Sequence, residues 1–186
     1  MDSARKSDRK LTYDNFLMFP NDGQRHELID GKHYVTPSPN TRHQQLSLRL
    51  TIALSRYLES SPGAELFYAP LDCVFTHFDI VEPDLLLVTA DQREIITEKH
   101  VRGAPALVVE ILSPGTRRVD QQIKRDLYDR VGVREYWVID PIGNRIGVHR
   151  RADDGGLGVA ADLRERDTLT TPLLPGFTLG LRGFFA

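Results

Sequence analysis

Asp84 and Glu110 each border or interrupt a run that is otherwise leucine, isoleucine and valine, Leu85 to Val88 and Leu107 to Leu112. A buried ionised carboxylate is costly unless it is paired, hydrogen-bonded or bound to a cation. The 26-residue separation includes a turn region, so two neighbouring strands can bring both side chains to one site. Two hard oxygen ligands, completed by waters and a backbone carbonyl, suit Mg2+ or Mn2+. Lys124 is a third part, because Asp120, Lys124 and Tyr128 recur at four-residue steps and share one face of a helix. A lysine beside an activated water and a phosphodiester can orient that water or neutralise charge that builds up in the transition state. Together these are the parts of metal-assisted hydrolysis.

Taken singly, each part has a plainer reading. Pro83-Asp84 is a common turn dipeptide, and Glu110 can pair with a cation across a sheet. Asp120 and Lys124 have the spacing of a solvated helix ion pair, worth roughly 0.2–0.5 kcal/mol. Tyr128 and Trp137 read as core aromatics rather than stacking platforms.

The elements that must position these residues can be read from periodicity. Thr12 caps a short helix through Phe16 and Leu17 that stops before Pro20. Arg25 to Ile29, Asp30-Gly31 and Lys32 to Val35 form a hairpin around an Asp-Gly turn. Leu46, Leu50, Ala53 and Tyr57 recur at helical spacing, which predicts a helix from about Pro39 to Leu58 with Pro39 in its first turn. Extended runs follow at Glu65 to Tyr68, Leu71 to Phe78 and Asp84 to Thr89. Leu107 to Leu112 is apolar on both faces apart from Glu110, as an interior strand should be. The loop Ser113 to Thr116 leads to a helix over Asp120 to Val131, ended by Gly132, and Glu135 to Ile139 is a further strand. Arg145 to Arg150 and Leu157 to Leu163, joined by Asp153-Asp154-Gly155-Gly156, predict a peripheral C-terminal β-hairpin, and Phe177, Leu179 and Leu181 alternate as a half-buried strand. This order predicts an α/β domain built on a mixed sheet.

Composition narrows the class further. The 186 residues, 40% of them hydrophobic, suffice for one core, so residues 1–186 are expected to form a single domain with a flexible tail over 1–10. Lys and Arg total 24 against 26 Asp and Glu, and a net charge of −2 argues against a general nucleic-acid coat. The longest apolar runs are four residues, far short of the roughly 20 that span a bilayer, so no membrane association is expected. Residues 1–10 lack a signal peptide's apolar stretch, which points to the cytoplasm. One cysteine, Cys73, excludes an internal disulfide and a multi-cysteine zinc site, and the six histidines form no HExxH pair.

With these residues placed, the chain resembles the Uma2 family, a bacterial group of restriction-endonuclease-like proteins in the PD-(D/E)XK nuclease superfamily. The matching pieces, in order, are ELIDG (Glu27 to Gly31), His43-Gln44, EPD (Glu82 to Asp84), VEILSP (Val109 to Pro114), the Asp120, Lys124, Tyr128 series, GVREYWVIDP (Gly132 to Pro141) and Pro175-Gly176-Phe177. The resemblance implies a restriction-endonuclease-like mixed sheet of four or five strands flanked by helices. It implies that Asp84, Glu110 and Glu27 are metal ligands, with Mg2+ or Mn2+ as cofactor. His43, three residues before Leu46, either looks inward toward that cluster or lies at the helix surface. The chain departs from the superfamily motif at Leu112, where a lysine two residues after the acid is expected; alternation puts residues 110 and 112 on one face. The family's Asp-x-x-x-Lys-x-x-x-Tyr pattern makes Lys124 the replacement.

The reading that follows is a metal-dependent endonuclease acting on nucleic acid, DNA in the first instance, with Asp84, Glu110, Lys124 and Glu27 as catalytic residues and His43, Asp120 and Tyr128 as accessories. The alternatives are a degenerate relative that binds nucleic acid or a protein partner without cutting, and an interaction protein whose acids form an internal salt-bridge network. A homodimer is compatible with a two-strand substrate. Three gathered acids would carry a charge of about −3 without the divalent ion and about −1 with it, which predicts weak substrate binding in its absence.

Overall fold

The structure is a computed structural model. It describes residues 9–113, 119–153 and 155–186, with the backbone alone at 119–121. Of the expected tail, residues 1–8 lie outside the described residues, as do most of the loop Ser113 to Thr116 and Asp154 of the Gly-rich turn. Lys10, at the tail's end, pairs with Asp30.

The short helix α1 (Tyr13–Phe16) precedes the hairpin β1 (Arg25–Ile29) and β2 (Lys32–Thr36). Ile29 pairs with Lys32 across Asp30 (φ 53°) and Gly31 (φ 68°), the left-handed pair that a two-residue hairpin turn requires. Gly31 is doubly constrained, since a Cβ there would lie 2.5 Å from the Lys10 Cβ. Helix α2 (Thr41–Ser60) starts later than its sequence predicts. The Asn40 side chain accepts from the His43 backbone N–H, so Asn40 is the N-cap and Pro39 lies outside the first turn. Leu46, Leu50 and Leu54 form its fully buried stripe.

Strands β3 (Ala64–Tyr68), β4 (Cys73–Thr76), β5 (Asp79–Val81), β6 (Leu85–Thr89), β7 (Val101–Arg102) and β8 (Leu107–Ile111) follow. The single run read over Leu71 to Phe78 is β4 plus a tight turn that reverses into β5, held where Thr76 Oγ1 donates to Asp79 Oδ2 at 2.7 Å. The helix predicted from Asp120 begins as a π-helical turn (Val119–Lys124) and becomes α-helical only in α3 (Arg125–Val131). Gly132, at φ 93°, ends α3 in the left-handed conformation, as its position predicted. Then come β9 (Glu135–Asp140), β10 (Arg145–Arg151), β11 (Leu157–Arg164), β12 (Thr168–Leu169), β13 (Leu179–Gly180) and α4 (Leu181–Phe185). The alternating strand expected over Phe177 to Leu181 is shortened because Gly180 caps α4, which buries Leu181, Phe184 and Phe185.

Two mixed sheets stack. The larger runs β11-β10-β9-β8-β6-β3, parallel only between β8 and β9. It has six strands rather than four or five because the β10–β11 hairpin, at the sheet's edge as expected, pairs with β9 over six positions and extends the sheet. The smaller runs β2-β1-β5-β4-β7. Alternation sorts the large sheet's side chains: Leu85, Leu87, Leu107, Val109, Ile111 and Trp137 pack against α2 and α4. Leu86, Val88, Val108, Leu112, Tyr136 and Val138 face the small sheet and α3, where Ile29, Cys73, Val81 and Leu127 meet them. Helices thus flank the sheets on either side, and the seam between the two sheets contains β1, β8 and α3.

Candidate active site

Glu27, Asp84, Glu110 and Lys124 gather in that seam, all but fully buried at 0%, 3%, 1% and 2% exposure. Pairing of Leu85 with Val109 across β6 and β8 brings Asp84 opposite Glu110. Asp84 lies just before β6 rather than inside a strand, at the end of an interior strand of the large sheet. Asp84 Oδ2 accepts from the Ile111 backbone N–H at 2.8 Å and lies 3.1 Å from His43 Nε2, while Oδ1 accepts from Arg25 Nη1 at 2.9 Å. Burial raises the Asp84 pKa, but the His43 contact, the Arg25 charge and the Ile111 amide outweigh it and hold the carboxyl below its ordinary value.

Glu110 Oε1 accepts from Lys124 Nζ at 3.0 Å and from the Tyr128 hydroxyl at 2.6 Å. Lys124 Nζ also lies 2.8 Å from Glu27 Oε1, so one ammonium bridges two carboxylates from different sheets. The π-helical turn ends at Lys124, and the α-helical step from there to Tyr128 aims both side chains at Glu110. Burial and then the Glu110 charge push the Tyr128 phenol well above its ordinary pKa, which keeps it a hydrogen donor. Glu27 Oε1 accepts from the Glu82 backbone N–H at 2.9 Å, and Glu27 Oε2 is buried without a hydrogen-bond partner.

His43 therefore looks inward, onto Asp84. The Asp120 side chain lies outside the described residues. Two residues at the cluster were not singled out by sequence. Arg25 lies two positions before Glu27 on β1, so strand alternation places both on one face, and that period was the available signal. Burial lowers the Arg25 pKa, but Asp84, Glu110 and Glu27 together more than reverse this. Glu82, two before Asp84, has its carboxyl raised to about 7 by burial against the opposing pull of Arg25. Arg25 and Lys124 also correct the expected charge of the site, because two cations already offset its three acids before any metal binds.

The acidic side chains offer only oxygen donors, the kind a hard divalent cation prefers, and Glu27 Oε2 has no hydrogen-bond partner. Among the described residues, no three His, Cys, Asp or Glu side chains converge as a ready metal cage. Lys124 lies between Glu27 and Glu110 and competes with any cation for them.

The architecture is thus a mixed sheet flanked by helices, with acidic residues and a lysine buried at the seam. The family model Uma2, described as "Putative restriction endonuclease", matches residues 13–182, and the chain belongs to the Uma2 family. The fold agrees with a crystal structure of a "putative nuclease belonging to DUF820" from Anabaena variabilis, at a TM-score of 0.77 and 20% identity over 94% of this chain and 97% of that one. An uncharacterized Synechocystis protein, slr1290, is 25% identical over 148 residues, 78% of this chain and 77% of the relative. No helix among the described residues is long and apolar enough to cross a membrane.

Proposed function

We propose that the chain is an endonuclease that hydrolyses phosphodiester bonds of nucleic acid with Mg2+ or Mn2+. The observation that supports this most directly is the Lys124 ammonium held between Glu27 and Glu110, with Asp84 on the adjoining strand end. Asp84, Glu110 and Glu27 would hold the divalent ion, which when bound supplies Lewis acidity and positive charge at the phosphate.

The chain's own residues prepare the site. Arg25 keeps Asp84 ionised, and the Ile111 amide and His43 fix its Oδ2, so the carboxylate is oriented before substrate arrives. The Tyr128 hydroxyl holds Glu110. Lys124 would supply the cation that Leu112, buried in an apolar cluster with Val108, Tyr136 and Val138, cannot. From the helix side, Lys124 Nζ can orient the attacking water and offset charge on the phosphate oxygens.

One observation favours a second reading. Arg25 and Lys124 already balance much of the buried acid, which is how a non-cutting relative would retain the cluster as a structural ion network. A cleavage assay on plasmid and single-stranded DNA, with and without Mn2+, separates the two. The endonuclease reading expects metal-dependent cutting by wild type and its loss in both Asp84→Ala and Lys124→Ala. Cutting that survives Asp84→Ala removes the site assignment. Absence of both cutting and carboxylate-dependent Mn2+ binding by calorimetry supports the second reading.

A further inference from the structure

A cleft of about 170 Å3 opens directly beside Asp84. Its walls are Pro37, Pro39, Ala69 and Pro70, and Gln44 and Ser47 of α2 reach it from one side. Arg25, His43 and Glu82 complete the lining where the cleft meets the acidic cluster. A cavity of about 150 Å3 holds one benzene-sized ring, so this space is the size of a single flat heterocycle. Its chemistry is uneven in the way a nucleobase needs: apolar proline and alanine surfaces for the ring faces, an amide and hydroxyl for the ring edge.

Where the cleft meets the cluster, Arg25 and Glu82 form an ion pair at 3.8 Å, so the floor of the cleft is charged while its walls are apolar. Immediately before the Ala69-Pro70 wall, Tyr68 is 63% exposed at the end of β3, a free ring face on which a neighbouring base can stack.

We propose that this cleft is a subsite for one unpaired nucleobase of the bound strand, and that the chain acts on single-stranded rather than paired nucleic acid. The proposal rests on the endonuclease reading for the phosphate that anchors the strand at Asp84; the cleft's own contribution is to the base. A single-stranded substrate also removes the need for two sites in a symmetric dimer.

The test is a fluorescence titration of wild type, with Mg2+ present, using an oligonucleotide that carries 2-aminopurine. The arms are single-stranded DNA, the same strand annealed to its complement, the same strand with an abasic position, and the RNA equivalent; product formation is followed on each sample. Quenching and tight binding are expected for the unpaired base, with binding about tenfold weaker for the duplex. Ser47→Phe, which fills the cleft, and Gln44→Ala, an exposed helix substitution that leaves folding intact, should each weaken the single strand by about tenfold. Neither should change binding of the abasic strand. The DNA and RNA arms show which sugar the site accepts. Equal binding of duplex and single strand, wild-type behaviour of both variants, or no binding of any oligonucleotide overturns the subsite. Base-dependent quenching without cleavage leaves the subsite standing and removes the endonuclease; cleavage indifferent to the cleft variants does the reverse.

Discussion

Lys124 is the residue on which the site's electrostatics turn. Removing one partner of a buried ion network leaves the others uncompensated, at about 3–5 kcal/mol. Lys124→Met should therefore lower urea-unfolding stability by that order and, with the competing ammonium gone from Glu27 and Glu110, should make stability rise with added Mn2+ more than in wild type. Equal Mn2+ responses in the two proteins would separate these carboxylates from metal binding. The two acids of the EPD segment give opposite pH signatures. Asp84 has a folded-state pKa below its ordinary 3.8, so its contribution is present above that value and is lost as pH falls through the folded one. Glu82 is raised from 4.5 to about 7, so the native state holds its proton longer and stability falls as pH climbs between those values. Glu82→Gln should flatten the profile across that window, measured by denaturant titration, and Asp84→Asn should flatten only the acid limb. Asp84 and Glu110 were legible in the sequence because a charge among leucines and valines is an energetic anomaly wherever it occurs, and Lys124 because it shares a helix face with Asp120 and Tyr128. Arg25 was not, because nothing in its neighbours shows that β1 buries the face it shares with Glu27.

At the scale of elements, the first turn of α2 couples folding to the site. The Asn40 side chain accepts from the His43 N–H at 2.9 Å, and His43 in turn meets Asp84. Asn40→Ala should lower thermal stability by about 1 kcal/mol, the usual value of an N-cap, and Asn40→Asp should restore it. A loss of activity in Asn40→Ala at temperatures where it stays folded would follow from the freed His43, and its absence would confine the cap to stability. The hairpin around Asp30-Gly31 and the stop at Gly132 were readable because left-handed backbone restricts the residue type. The π-helical turn was not, since Val119 to Lys124 offers only two apolar residues, Val119 and Ile123, too few to set the period of the turn. The split of Leu71 to Phe78 into β4 and a turn was hidden for a related reason: the reversal is set by Thr76 and Asp79, without the glycine or proline that normally marks one.

The whole molecule contains a second buried acid network that sequence could not distinguish from the first. Glu135, 1% exposed at the start of β9, accepts from Trp137 Nε1 at 2.8 Å and Arg150 Nη2 at 3.1 Å through Oε1, and from Thr171 Oγ1 at 2.8 Å through Oε2. Both oxygens are thus satisfied by groups from β9, β10 and the segment before β13, and they tie the sheet extension to the α2 side of the core. Glu27 differs in keeping one oxygen without a partner at the seam of the two sheets. Local sequence flanks each acid alike, with a basic-type residue before it and an apolar or aromatic one after it; only the non-local pairings, β10 beside β9 and β1 beside β5, decide which acid is a brace and which faces the candidate site. Glu135→Ala should accordingly lower unfolding stability by about 3 kcal/mol, from the stranded Arg150 and Trp137 donors, and leave Mn2+ affinity per folded molecule unchanged in a calorimetric titration. Glu110→Ala should change both, because its carboxylate is held by Lys124 and Tyr128 at the seam and is part of the proposed ligand set. If Glu135→Ala lost Mn2+ binding while still folded, the two networks would be one, and the division between the fold's brace and its site would fail.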